Sequence, residues 1–194
     1  LLGKDGLSAE IAIAQGAILA IFLSLSGNAR NLILSDNTNR NEKVILSFRL
    51  IVMLPAVIAT FYLAKSIISI PTLLALGLIL RKATEWLAEI ELASREKSND
   101  FSFARKYIFA NAISFLVLMA SFALPTGSTF YYILYLWAVT PALFLLPSIQ
   151  RPARLIEDKL EFRKFTPHLG ASTIIGTSTY ILRLLIVLLV GTAL

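Results

Sequence analysis

With 194 residues, 57% of them hydrophobic, 15% charged and a mean hydropathy of +0.75, the chain is too apolar for an ordinary soluble domain and reads as a multispanning membrane protein. The absence of cysteine and the single histidine exclude a disulfide framework and a thiolate metal site and leave little for zinc chemistry. The formal charge of +6 is no nucleic-acid signature, because the basic residues fall mostly between apolar segments.

Taken in order, the first apolar segment runs from about Leu7 to Leu25 and, having no proline, is expected to continue helically to Leu34. Gln15, Ser26, Asn28 and Asn31 give it a wet stripe, and the Gly16–Ala17 pair allows a neighbouring helix close approach. A polar loop at 35–43 leads to a second span, 44–64, with Arg49 a little over one turn inside it and Pro55 near its middle. Pro71 suits the first turn of the third span, 70–92. A fourth span covers 107–124 and, after a PTGS turn, an aromatic-rich fifth covers 129–146. A basic segment at 147–168, whose ARLIEDKLEFRKF portion has helical apolar spacing, separates these from a last span at 169–190. Each span is near the ~20 residues needed to cross the hydrocarbon layer, so an all-α bundle of six crossings is expected. The chain opens on LLGKDG and ends while still apolar, and we read it as part of a longer protein.

Loop charges orient the crossings. The loops at 27–43 and 93–106 and the long segment at 147–168 hold most of the Lys and Arg, whereas the intervening connections hold only Lys4, Lys65 and no charge at the PTGS turn. By the positive-inside rule the basic loops are cytoplasmic and the amino-terminal end lies outside.

The third span carries RKATEWLAEIE at 81–91, two cations and three carboxylates at a depth where apolar residues belong. On a helix Arg81, Glu85 and Glu89 fall at i, i+4 and i+8 and line one face. A central Arg or Glu facing lipid costs roughly 2.5 to 3.5 kcal/mol even on lenient scales, so this face turns to a partner helix or a watery cavity. Lys82 and Glu91 fall off the stripe and are expected near the membrane interface. Arg49 and Arg183 also lie within apolar spans, Arg183 roughly four turns from Gly170, too deep to snorkel with ease.

If Arg49, Arg81 and Arg183 share a cavity, they form an electropositive chamber for an anionic substrate, since the guanidinium fork suits phosphate. The plainer alternative is that Arg81 and Glu85 neutralise each other and that Arg49 reaches back to the headgroups. Glu85 and Glu89 could hold a proton or a sodium ion and couple its occupancy to conformation, or serve only as counter-ions. Asn28, Asn31 and Asn111 could bond sugar hydroxyls, or bond between helices. No Gly-rich phosphate loop, metal-binding pair or nucleophile elbow occurs in the sequence.

GNARNLIL at 27–34, RKATEWLAEIELASREK at 81–97, FARKYIFANAISF at 103–115 and HLGASTIIGTSTYILRLLIVLLVG at 168–191 together resemble the polysaccharide and O-antigen flippases of the multidrug/oligosaccharidyl-lipid/polysaccharide exporter superfamily. The last stretch is similar to a lobe's opening helix, with Arg183, Ile186 and Gly191 in its R-x-x-I-x-x-x-x-G pattern. The resemblance implies that residues 1–146 are an amino-terminal lobe lacking its first helix, that 147–168 links two lobes, and that 169–194 opens the second. It further implies a bacterial inner-membrane protein without cofactor or catalytic residue. That protein would turn an undecaprenyl-diphosphate-linked oligosaccharide from the cytoplasmic to the outer leaflet by alternating access, alongside membrane lipids and the polysaccharide polymerase machinery. On this reading Arg49, Arg81 and Arg183 attract the diphosphate or acidic sugars, and Asn28 and Asn111 contact sugar. Two alternatives stay open: an exporter of other cargo, with fewer deep cations and more acidic cavity residues, and a non-transporting membrane enzyme or scaffold.

Overall fold

The computed structural model describes residues 5–35, 40–66, 70–121, 128–145, 167–178 and 181–182, and every regular element among them is helical. The elements are α1 (Asp5–Ser24), α2 (Ala29–Ser35), α3 (Arg40–Ser66), α4 (Thr72–Lys97), α5 (Phe101–Ser121), α6 (Ser128–Val139), a 3-10 helix (Thr140–Phe144) and α7 (167–178). Three stretches, Ala14–Ser35, Val44–Ser66 and Phe101–Ser121, are long and apolar enough to cross a membrane. The helix that holds the charged stripe is of spanning length but too charged to count among them, and Thr129–Phe144 is shorter. The segment at 147–166 and the chain from 183 onward lie outside the described residues.

The first segment is not one helix to Leu34. Gly27 and Asn28 both adopt left-handed backbone, with φ of 59° and 54°. Glycine takes this region freely and asparagine is among the few residues that tolerate it, so the Gly-Asn pair breaks the helix without a proline. Ala29 N–H then bonds the Ser26 carbonyl at 3.2 Å and α2 begins.

The α4–α5 turn is written in the sequence SND. Asn99 is left-handed (φ 58°), Asp100 N–H bonds the Arg95 carbonyl at 2.8 Å and Asn99 N–H bonds that of Glu96 at 3.0 Å, a Schellman closure of α4. Asp100 Oδ1 then accepts from Phe103 N–H at 3.3 Å and caps α5. At the other end Pro71 stands just before α4 as its cap residue, one position earlier than a first-turn proline.

α4 is the axis of the bundle, packed against α1, α2, α3, α5, α6 and the 3-10 helix. Its apolar side, including Leu78, Ile79 and Trp86, joins Phe22 of α1 and Leu134 of α6 in one core, with Phe22 edge-on to Trp86 at 5.4 Å. Ile90 and Ala93 join Ala29, Ile33, Ile45 and Phe48 in a second core, against which Leu169 of α7 packs. Helices α3 and α4 run antiparallel, as the pairs Glu42–Ser94 and Arg49–Glu89 show. The arrangement gathers α2, the start of α3, the end of α4 and the start of α7 at one end of the bundle.

α7 crosses α1 at close range. A Cβ at Gly176 would lie 2.8 Å from both the Ala20 carbonyl and the Ser24 amide nitrogen, and would also strike Ser24 Oγ, whereas one at Gly170 meets nothing within 4 Å. Backbone atoms cannot swing aside as a side chain does. Gly176→Ala is therefore expected to lower stability by about 1–3 kcal/mol in a thermal-unfolding series in detergent. Gly170→Ala, in open space on the same helix, should be neutral or raise stability by up to about 1 kcal/mol.

Candidate functional site

The charged face of α4 is divided between two buried cations and a cavity. Arg49, projecting from α3, is wholly buried; its Nη2 bonds Glu89 Oε2 at 2.7 Å, its Nη1 donates to the Trp86 carbonyl, and its guanidinium lies 4.7 Å from the centre of the Trp86 ring. The headgroup-seeking alternative for Arg49 does not describe this side chain, which turns inward to α4.

Arg81 is pinned on the other side. Its Nε donates to Glu85 Oε1 at 2.6 Å and its Nη1 to the Trp137 carbonyl at 2.8 Å, with its guanidinium 4.6 Å from the Trp137 ring centre. The Trp137 carbonyl is free because the residue four places on is Pro141, which has no N–H to offer. Thr84 does the same for the next carbonyl, donating to Ala138 at 2.8 Å where α6 tightens into the 3-10 helix. The i, i+4 pairing of Arg81 with Glu85 weighed from the sequence is thus present, and it also locks α6 to α4.

Glu85 and Glu89 are shared. Each faces a buried arginine on one side, and both line a cavity of about 310 Å³ bounded by α1, α4 and α5. Its other polar lining groups are Ser26, Lys82 and Tyr107, and Phe22, Trp86 and Leu92 supply apolar walls. Lys82 Nζ bonds the second oxygen of Glu85 at 3.3 Å. Arg49 and Arg81 stand behind the carboxylates rather than on the cavity wall. Together the five groups carry three positive and two negative formal charges, one positive in excess.

The other predicted positions are scattered. Arg183 lies outside the described residues. Asn28 forms the α1–α2 break and is exposed, while Asn111 donates to the Tyr107 carbonyl within α5 at 2.7 Å. Neither lines the cavity, and Asn31 is exposed on α2. Glu91, expected near the interface, is 1% exposed and accepts from Arg95 Nε at 2.7 Å, and Arg95 also reaches Asp100 at 3.3 Å. Lys82, also placed off the stripe, turns to the cavity; its i, i+3 spacing to Glu85 was a usable signal. Tyr107 comes from another helix, and nothing in the local sequence marks it.

At the end of α4, Glu96 forms a two-pronged pair with Arg30 of α2 at 2.9 and 3.0 Å, and the Arg30 hydrogen bond holds the Glu96 carboxyl below its ordinary value of 4.5. Its contribution is present above that value and fades as pH falls through the lowered one; being exposed, it is worth little. No group of three or more metal-ligating side chains is found among the described residues.

No known protein family matches the chain, and neither curated proteins nor solved structures show significant similarity to it.

The two ends of the Arg49–Glu89 pair differ in burial, 0% exposed for the arginine and 38% for the glutamate. Glu89→Leu strands a buried guanidinium and is expected to cost on the order of 3 kcal/mol in thermal or denaturant unfolding. Arg49→Met leaves a carboxylate that can hydrate from the cavity and should cost clearly less. Equal losses would show that Arg49 is not buried as described.

Proposed function

We propose that this chain is part of a membrane transporter of the polysaccharide flippase type, moving an undecaprenyl-diphosphate-linked oligosaccharide from the cytoplasmic to the outer leaflet of a bacterial inner membrane. The observation that supports it best is the cavity against α4, with two carboxylates on its wall and two guanidiniums held directly behind them. The resemblance of the chain's charged and polar motifs to those flippases supplies the substrate class. The same reading makes the helices one six-helix lobe with its basic ends cytoplasmic, and the gathering of those ends on one side of the bundle agrees with it.

On this proposal a diphosphate competes with Glu85 and Glu89 for Arg81 and Arg49. Protonating either carboxylate releases its arginine, because a neutral carboxyl no longer holds a guanidinium by charge. Proton uptake and anion binding then favour each other, and Lys82, already at the cavity wall, gives the arriving anion its first cation. Arg183 would add a cation from the second lobe.

One observation favours a second reading, an exporter of other cargo: the charged groups on the cavity wall are two acids and one lysine, the more acidic lining such an exporter would show. A leaflet-translocation assay in proteoliposomes, using a diphosphate-linked undecaprenyl oligosaccharide, separates the two. The flippase reading predicts translocation by the intact protein and a loss of tenfold or more with Arg183→Ala or Lys82→Ala. Translocation unchanged in Arg183→Ala removes that residue from the mechanism, and no translocation by the intact protein removes the substrate class.

A further inference from the structure

The outer face of α5 carries a feature apart from the cavity against α4. Ser102, Arg105, Lys106, Ile108, Phe109 and Ala112 line an open groove of about 600 Å³. Residues 102, 105, 106, 109 and 112 follow helical spacing and share one side of the helix. Ile108 and Phe109 are 66% and 68% exposed, and the apolar surface continues through Ile113, Leu116 and Met119.

Most of the other described cations are engaged by acids. Arg30, Arg49, Arg81, Lys82 and Arg95 are each paired with a carboxylate. Arg105 and Lys106 are exposed neighbours, and among the described residues neither has an acidic partner. They sit at the head of the apolar face, at the end of α5 that adjoins the paired Arg95 and Asp100. From Lys106 to Met119 the helix rises roughly 20 Å at 1.5 Å per residue. That is enough to follow an acyl chain through one leaflet, about half of a ~30 Å hydrocarbon core.

We propose that this face binds an anionic phospholipid, its phosphate held between Arg105 and Lys106 and an acyl chain laid along Ile108, Phe109 and Ala112. Charge selects the occupant. A zwitterionic headgroup brings its own ammonium to two unneutralised cations, whereas a phosphatidylglycerol headgroup brings a net negative charge and a phosphate that both donors can reach. A second protein helix would need acids opposite residues 105 and 106, and the acids at this end of α4 and α5, Glu91, Glu96 and Asp100, are already engaged by Arg95 and Arg30.

The site is independent of the transport reading and is tested without it. The protein is purified in detergent with phosphatidylglycerol or phosphatidylcholine of identical chains, and retained lipid is counted by native mass spectrometry. The expected result is at least fivefold preferential retention of phosphatidylglycerol, abolished in the double variant R105Q/K106Q and kept in the charge-matched R30Q/K65Q. A variant Phe109→Ala should weaken retention of both lipids, and inorganic phosphate should not displace phosphatidylglycerol, because the chain contributes as well as the headgroup. Equal retention of the two lipids, an equal loss in R30Q/K65Q, or displacement by phosphate alone would each overturn the assignment.

Discussion

A guanidinium with none of its surface exposed, set in a helix apolar enough to cross a membrane, fixes the way this bundle is assembled. Arg49 takes a carbonyl, a carboxylate and a ring from α4 for its two terminal nitrogens and its face, with Nε left without a partner, so α3 and α4 meet with Trp86 and Glu89 turned to that side. Burying such a charge is unfavourable unless every strong acceptor is in place, which ties the rotation of α4 to the position of α3. Arg81 applies the same constraint to α6, through a carbonyl that Pro141 leaves without its helical partner. α4 is thus held from two sides by cations that stack on tryptophans, and its carboxylates are what remains to face the cavity.

This arrangement explains why so charged a helix can occupy the centre of an apolar bundle. Each carboxylate neutralises a buried cation on one side and lines the cavity on the other, so no charge on the face is left alone in a low-dielectric interior. It also makes the ion pairs exchangeable. Under the flippase proposal that property is the useful one: a pair that can open to an anion or to a proton stores two states, whereas a pair sealed in the core stores one.

Much of this was legible in the sequence, and the parts that were not have physical causes. The Arg81–Glu85–Glu89 face follows from i, i+4 spacing, and the central place of α4 follows from the expense of charges at that depth. The Arg49–Glu89 pair spans 40 residues of chain and has no local signature, so Arg49 could be read only as a buried or a snorkelling cation. The break at Gly27–Asn28 is signalled by the residue pair itself, since both tolerate left-handed backbone and need no proline to end a helix. The Glu91–Arg95 pair lies at i, i+4 and was as readable from spacing as Arg81–Glu85, whereas the near-complete burial of Glu91 comes from the helices packed around α4. Lys82 was within reach of the i, i+3 spacing to Glu85, whereas Tyr107 reaches the cavity from α5 through tertiary packing, which periodicity does not encode.

The central claim is that the charged face of α4 borders a water-accessible hollow rather than lipid or a sealed core. The cysteine-free chain permits a direct measurement, the reaction rates of single introduced cysteines with a small charged methanethiosulfonate reagent in the membrane. Leu92→Cys, on the cavity wall, should react readily, while Ala88→Cys, 1% exposed in the packed core, and Ile113→Cys, on the outer face of α5, should not. An unreactive position 92, or one no faster than 88 and 113, would contradict the account.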